Sequence, residues 1–285
     1  MPDLPLIVWI AAAGVLGLLV GSFLNVVILR LPARLEAFWK QEAHDILQLG
    51  TPQETLPPGI VREGSHCPHC KHPLAARDNI PVFGWLLLRG RCRYCQAPIS
   101  IQYPLIELLT GILSALVIWK FGPTWSGLVG LCLTWALVAL SGIDFRTQLL
   151  PDQITLPLLW LGLLLSVAHL FVEPTSSILG AAIGYLSLWS VYWAFKLLTG
   201  KEGMGFGDFK LLAALGAWMG PGSLLPVILL SSLIGAIIGG TLIALRKHAR
   251  EVPMPFGPFI AIAGWVWFIA GDTLWQAYAS FTGMR

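Results

Sequence analysis

Two aspartates stand where apolar segments of the chain meet polar ones. Asp208 follows the turn Gly205-Phe206-Gly207 and opens an apolar segment, and Asp144 closes another. An ionisable side chain at membrane depth is costly and is therefore a functional candidate by default. Two carboxylates at one membrane face can share a proton and activate water. The pair therefore predicts a catalytic dyad that hydrolyses a peptide bond.

Each of these acids also has a structural explanation. Asp208 could cap a helix N-terminus, but a cap does not explain the preceding glycines, which let a backbone approach closely. The helix dipole disfavours a carboxylate where Asp144 closes its helix, so we expect a partner, such as a second carboxylate sharing a proton. Asp152 follows Pro151 and precedes an apolar run, which predicts an N-cap. Lys210 is expected to extend toward the membrane interface.

Four of the five cysteines form two C-x-x-C pairs, which are Cys67 with Cys70 and Cys92 with Cys95. This spacing lets two turns converge on one tetrahedral ion, and thiols in a reducing cytoplasm favour zinc over disulfides. A redox pair is the alternative. Four thiolates close a structural site and leave no position for a reactive water, so we expect one structural zinc ion. The neighbouring histidines, which we expect not to bind the metal, are His66, His69 and His72.

The composition is that of an integral membrane protein. Hydrophobic residues make up 56% of the 285 residues, charged residues make up 12%, and the mean hydropathy is +0.73. A spanning helix needs about twenty apolar residues. We therefore predict an all-α, polytopic protein with about eight transmembrane helices in a lipid bilayer. Their positions are 6–29, 104–120, 125–143, 154–172, 177–198, 209–220, 222–245 and 257–279, of which 209–220 is short for a full crossing.

The basic residues predict the orientation. With eight crossings and the N-terminus outside, only Lys120 and Arg285 of the 18 lysines and arginines lie outside the cytoplasmic segments. This bias follows the positive-inside rule, and the opposite orientation would reverse it. Both aspartates and the cysteine pairs then face the cytoplasm. The net charge of +3 reflects this topology and gives no reason to expect nucleic acid binding.

The polar stretch after the first predicted span is the one candidate for a soluble domain. We predict three parts, which are a first transmembrane helix at 1–29, a cytoplasmic zinc-binding domain at 30–103 and a transmembrane core at 104–285. Within the second part, Ala33 to Leu49 has the mixed pattern of an amphipathic helix, and Thr51 to Gly59 contains three prolines and is predicted to be a linker. No internal repeat is predicted.

Several segments together resemble the type IV prepilin peptidases, which are membrane aspartic proteases of the G-x-G-D type. The similarity covers almost the whole chain. The segments that carry it are 21–32 (GSFLNVVILRLP), 78–81 (DNIP), 89–92 (RGRC), 103–107 (YPLIE), 205–210 (GFGDFK) and 255–259 (PFGPF). The resemblance places the two catalytic aspartates of the family at Asp144, through the pattern D-x6-P-D that ends in Pro151-Asp152, and at Asp208. Gly84 stands where many members are expected to have serine.

The resemblance implies two activities. One is cleavage of the short basic leader of prepilins and pseudopilins, and the other is methylation of the new N-terminal residue from S-adenosylmethionine. No G-x-G-x-x-G turn follows a strand, so the sequence does not locate a site for the methyl donor. Oligomeric state, and whether the substrates serve pili, secretion or DNA uptake, stay open. The alternatives are a transporter that uses the same aspartates as a proton or cation relay, and a zinc-ribbon scaffold without chemistry.

Overall fold

The computed structural model describes residues 4–48, 57–61, 63–245 and 254–283. Those residues form α-helices with short 3-10 turns at Ala76–Asn79 and Pro221–Ser223 and contain no strand, only isolated bridges. The prediction of an all-helical protein is therefore confirmed. The helices are α1 (Leu6–Leu47), α2 (Phe83–Leu87), α3 (Gln102–Phe121), α4 (Trp125–Thr147), α5 (Asp152–Val167), α6 (Pro174–Thr199), α7 (Phe206–Met219), α8 (Leu224–Ala244) and α9 (Gly257–Thr282).

Six apolar stretches of the described chain are long enough to cross a bilayer, which makes this a multi-pass membrane protein. They are Leu6–Leu47, Gln102–Phe121, Trp125–Thr147, Pro174–Thr199, Pro221–Thr241 and Gly257–Thr282. Helices α5 and α7 stand at the other two predicted positions but have 16 and 14 residues. At 1.5 Å per residue, they extend about 24 and 21 Å, less than the roughly 30 Å of a hydrocarbon core.

Helix α1 continues further than the sequence predicts. The predicted span at 6–29 and the predicted amphipathic helix from Ala33 are parts of one helix of 42 residues that contains Pro32. A proline inside a helix removes one hydrogen bond but does not always end the helix. Of the predicted linker Thr51 to Gly59, residues 51–56 lie outside the described residues, as do Arg62, Arg246, Lys247, Arg250 and Arg285 among the basic residues that predict the topology.

The chain divides into two compact units, Met1–Ala139 and Leu140–Arg285, so that the boundary falls within α4. The predicted domain boundary near residue 103 marks a change from polar to apolar sequence and differs from the boundary between the two compact units. It stays a prediction. In the first unit, α1 packs on α3 through small residues. A Cβ at Gly17 would lie 2.7 Å from the Thr110 carbonyl oxygen, and one at Gly21 would lie 2.7 Å from Cα of Glu107. Such close approach is typical of membrane helix pairs.

Helix α7 is the centre of the second unit and packs against α5, α6 and α9. Every residue from Leu211 to Trp218 is buried. The Trp218 indole Nε1–H donates to the Leu158 carbonyl of α5 at 2.8 Å, and the Ser177 hydroxyl of α6 donates to the Ala217 carbonyl at 2.7 Å. Because protein surrounds α7 along most of its length, its position within the second unit is determined by packing.

Candidate active site and metal site

Asp144 lies on the last turn of α4, where it is buried. Its Oδ2 atom accepts a hydrogen bond from the backbone N–H of Gly257 at 3.0 Å. Gly257 is the first residue of α9, and the N-terminal amides of a helix favour a negative charge. The sequence analysis expected a partner for Asp144, and the backbone N–H at the start of α9 is one such partner. A Cβ at Gly257 would lie 2.6 Å from Oδ2 of Asp144, so only glycine permits this approach.

Asp208 is the third residue of α7 and is also buried. The N-cap residue of α7 is Gly205, two residues before Gly207 and three before Asp208, so Asp208 is not itself the N-cap residue. Of the two glycines in the motif, only Gly207 is required by a close contact. A Cβ at Gly207 would lie 2.6 Å from Cβ of Leu150, whereas a Cβ at Gly205 would have only an ordinary contact, at 4.0 Å from Asp208.

Both aspartates line one pocket of about 570 Å³ in the second unit. They are near enough for the charge of Asp144 to act on Asp208. The α4–α5 connection, the loop before α7 and the segment before α9 supply the other walls. The remaining lining residues are Gln148, Leu149, Leu150, Asp152, Glu202, Gly203, Met204, Gly205, Phe206, Gly207, Lys210, Met254, Pro255 and Phe256. Residues 64 positions apart in the sequence thus face one space that can admit a peptide and water.

The rim of this pocket carries an ion pair that the sequence analysis missed. The Lys210 ammonium lies 2.7 and 2.8 Å from the two carboxylate oxygens of Asp152. The predicted N-cap role of Asp152 is wrong, because the N-cap residue of α5 is Pro151 and no side chain caps that helix. The ammonium of Lys210 is held by Asp152, and its predicted extension to the membrane interface stays a prediction. Both residues lie in motifs that the sequence analysis identified, but their contact could not be predicted because 58 residues separate them.

A second ion pair holds the loop that precedes α7. Lys196, on the last turn of α6, donates to the Glu202 carboxylate at 2.8 Å and to the Tyr192 hydroxyl at 3.2 Å. The hydrogen bond from Lys196 holds the pKa of Glu202 below its usual value. Glu202 is therefore ionised at neutral pH. Like Asp152, it lines the pocket and is exposed to solvent.

The four predicted metal-binding cysteines lie together in the first unit, with all sulfur atoms within 4.8 Å of one another. The Sγ atoms of Cys67 and Cys95 are 3.7 Å apart, and those of Cys70 and Cys92 are 4.0 Å apart. A tetrahedral zinc ion with bonds of about 2.3 Å places its sulfur ligands about 3.8 Å apart. All four are free thiols rather than disulfides. This donor set fits a closed tetrahedral metal site.

The backbone favours the thiolate at two of the four cysteines. The backbone amide of Cys70 lowers the pKa of the Cys67 thiol to about 6, and the amide of Cys95 lowers the pKa of Cys92. At Cys95, burial and the neighbouring thiols outweigh the Ala97 amide and raise the pKa to about 11. None of the neighbouring histidines belongs to the described metal cluster. His72 instead stacks on Tyr94, with ring centroids 3.5 Å apart.

The two cysteine turns are copies of one local structure, related by an offset of 25 residues. The amide of Cys67 donates to the His72 carbonyl at 3.0 Å, and the amide of Cys92 donates to the Ala97 carbonyl at 2.9 Å. Each copy ends in an antiparallel bridge, His66 with Pro73 and Arg91 with Pro98. The prediction of no internal repeat is therefore wrong at this scale. The pattern x-C-x-x-C-x-x-P, present twice in the sequence, was the signal for it.

Polar contacts join this metal segment to the helices of its own unit. Arg93 makes a forked hydrogen bond with the buried carboxylate of Asp78, with Nε 2.9 Å from Oδ2, which lowers the pKa of Asp78. Glu107, on α3 and also buried, accepts the Val82 N–H at 2.7 Å. Val82 has φ 63°, which is rare for a β-branched residue, and its amide is held in place by Glu107.

Two known family models match parts of this chain. Residues 15–121, which contain the four cysteines, match the model of the bacterial peptidase A24 N-terminal domain, and residues 131–240, which contain both aspartates, match that of the type IV leader peptidase family. No solved structure matches the chain.

Similar proteins from three bacteria are named prepilin leader peptidase/N-methyltransferase. The one from Xanthomonas campestris pv. campestris is 56% identical over 275 residues, which is 96% of this chain and 96% of the relative. The one from Aeromonas hydrophila is 55% identical over 92% of this chain and 90% of the relative. The one from Neisseria gonorrhoeae is 49% identical over 93% of this chain and 92% of the relative. Identity of this extent over nearly the whole length shows that the chain belongs to the type IV leader peptidase family.

Proposed function

We propose that the protein is an aspartic endopeptidase that removes the basic leader from type IV prepilins and pseudopilins at the cytoplasmic face of the inner membrane, and that it then methylates the new N-terminal residue. The observation that carries the peptidase proposal is that Asp144 and Asp208, both buried, line one pocket. The membership of the chain in a peptidase family supports the reaction class. The distribution of basic residues supports the cytoplasmic side.

The proposed reaction is direct hydrolysis by a carboxylate pair. The ionised carboxylate takes a proton from a water molecule, and the oxygen of that water attacks the peptide carbonyl carbon. The protonated carboxyl group donates its proton to the carbonyl oxygen. The C–N bond then breaks as the leaving nitrogen receives the proton that water lost, and a hydroxyl of the intermediate returns its proton to the second carboxylate, which restores the dyad. The Gly257 amide favours the ionised form of Asp144, so we assign the base to Asp144 and the acid to Asp208. No covalent intermediate forms.

The four cysteines are proposed to hold one zinc ion with a structural role. Zinc would join the two cysteine turns, and with four thiolate ligands it would have no open position for substrate. We expect one zinc ion per purified chain, measured by elemental analysis. Cys67→Ala should lower the zinc content and the unfolding temperature, whereas Cys132→Ala, which changes the fifth cysteine on α4, should retain the zinc. Equal zinc content in both variants would contradict the assignment.

S-adenosylmethionine, when bound, would supply the methyl group for the second activity. The support for this part of the proposal is the resemblance to the bifunctional family, since no described residue identifies the methyl-donor site. Methylation requires the amine that cleavage creates, so it follows the peptidase step.

The peptidase proposal is tested with a synthetic prepilin that has a basic leader ending in glycine and an apolar helix after it. Wild type should cleave it, whereas Asp144→Asn and Asp208→Asn should each lose nearly all activity while remaining folded and loaded with zinc. Glu173→Gln is a matched control. Glu173 pairs with His169 at the N-terminal end of α6, whereas Lys196, whose partner Glu202 lines the pocket, lies at the C-terminal end of that helix. Near-normal cleavage by either aspartate variant would remove that residue from the dyad. An inactive wild type would direct attention to ion flux and the transporter alternative.

A further inference from the structure

The pocket has an acidic rim in addition to its buried aspartates. Its described charged lining residues are Asp144, Asp152, Glu202, Asp208 and Lys210, which makes four carboxylates and one ammonium. The proposed dyad accounts for two of the carboxylates. The side chains of Asp152 and Glu202 are instead 48% and 68% exposed. They belong to different elements, the first residue of α5 and the loop before α7.

Each rim carboxylate already binds a lysine of this chain. Lys210 contacts both oxygens of Asp152, and Lys196 contacts Glu202. These contacts show that each carboxylate is accessible to an ammonium group at hydrogen-bonding distance. An exposed pair of this kind contributes only about 0 to 1 kcal/mol, so its partner can be exchanged for another cation at small cost.

Buried packing, in addition to the Asp152–Lys210 ion pair, joins α5 to α7 in the second unit. The contact between α5 and α7 is formed by buried groups, including the hydrogen bond from Trp218 to Leu158 and the close approach of Gly162 to the Trp218 ring. A Cβ at Gly162 would lie 2.5 Å from Cδ1 of Trp218. Packing of this kind contributes more than an exposed ion pair. The structural role of the Asp152–Lys210 pair is therefore minor, and its place at the pocket points to the substrate.

We propose that Asp152 and Glu202 bind cationic side chains of the leader peptide, each exchanging the lysine of this chain for a lysine or arginine of the substrate. The inference rests on the proposed peptidase function and assigns residues to its substrate specificity. The rim would recognise charge, and the buried dyad would act on the peptide bond. Because two separate elements provide the carboxylates, the leader would be bound at two points rather than at one.

The test compares two synthetic substrates, one with a basic leader and one in which glutamine replaces every leader lysine and arginine. Purified full-length wild type should cleave the basic substrate with the higher kcat/KM. Asp152→Asn and Glu202→Gln should each reduce this preference by about twofold to fivefold, the range expected for exposed ion pairs. The double variant should show the product of the two effects, since the residues belong to different ion pairs. Glu173→Gln should keep the wild-type preference.

A charge reversal separates recognition from a structural effect. Glu202→Lys should cleave a leader that carries glutamates better than wild type does, which loss of a structural contact could not produce. Unchanged preference in the double variant, or no gain for Glu202→Lys on the acidic leader, would overturn the inference while leaving the peptidase proposal intact. Failure of wild type to cleave either substrate would instead refute the proposed function itself.

Discussion

The contact between Asp144 and Gly257 shows how one backbone amide can determine the position of a proposed catalytic group. A carboxylate at the end of a helix faces the negative end of that helix dipole, which is unfavourable. The first amide of α9 offsets this effect with a hydrogen bond of 3.0 Å. The sequence analysis identified the strain at Asp144 and a family motif at 255–259, but it did not connect the two, because 113 residues separate the bonded groups. That connection exists only in the folded chain.

Gly257→Ala should therefore abolish most peptide cleavage without unfolding the protein. The added Cβ would lie 2.6 Å from Oδ2 of Asp144 and would push the carboxylate away. Misplacement of a reacting group by about 1 Å can reduce a rate by about a hundredfold. The measurement is kcat/KM on a synthetic prepilin, together with the unfolding temperature. Gly222→Ala is the control, since no atom would lie within 4 Å of its Cβ, and it should retain activity. Equal activities of the two variants would contradict this role of Gly257.

Helix α7 illustrates which elements the sequence could and could not predict. Its start is clear from the glycine turn, but its 14 residues do not meet the length that defines a spanning helix. The surrounding protein explains how it can be short, since nearly all of its residues are buried against other helices. The glycines that allow this close packing cannot be recognised from the sequence, because the apolar residues around them show no pattern that marks a contact face. In contrast, the prediction divided α1 into an apolar span at 6–29 and an amphipathic helix from Ala33, whereas the chain forms one helix that continues through Pro32.

The contact between Gly180 of α6 and Gly216 of α7 should contribute strongly to the stability of the second unit. A Cβ at either glycine would overlap the carbonyl group of the other. Gly216→Ala gains up to about 1 kcal/mol of helix propensity but introduces overpacking that costs about 1 to 3 kcal/mol. We expect a lower unfolding temperature in detergent and reduced cleavage. Gly240→Ala on α8, where no atom would lie within 4 Å of the Cβ, should show no loss of stability.

At the scale of the whole molecule, each of the two compact units contains one site. The sequence alone indicated both candidate sites, because C-x-x-C pairs are typical of zinc ligands and an aspartate after a G-x-G turn at the start of an apolar segment is a functional candidate. It could not indicate the contacts around them. The pair of Asp152 with Lys210 spans 58 residues, and that of Glu107 with Val82 spans 25. Such contacts depend on how helices pack, which hydropathy and motif spacing do not determine.

The predicted topology can be tested through the two connections at the ends of α4. The segment between α3 and α4 should lie outside, and the segment between α4 and α5, which carries Leu149 and Leu150 of the pocket wall, should face the cytoplasm. Alkaline phosphatase fused after Pro123 should be active, and the same enzyme fused after Gln148 should be inactive. The reverse pattern would place the proposed dyad on the outer side and would exclude a cytoplasmic leader as its substrate.

The positions of the two aspartates along their helices would determine how water reaches the proposed reaction. Asp208 is the third residue of α7, and Asp144 lies three residues before the end of α4, so each is within one turn of a helix end. A proteolytic site at mid-bilayer would need a hydrated path through the hydrocarbon. This site would need none, because the pocket rim carries exposed charged groups and opens among the loops. The scissile bond would then have to come to the membrane surface, so that a transmembrane substrate would be cut only next to its apolar helix and never within it.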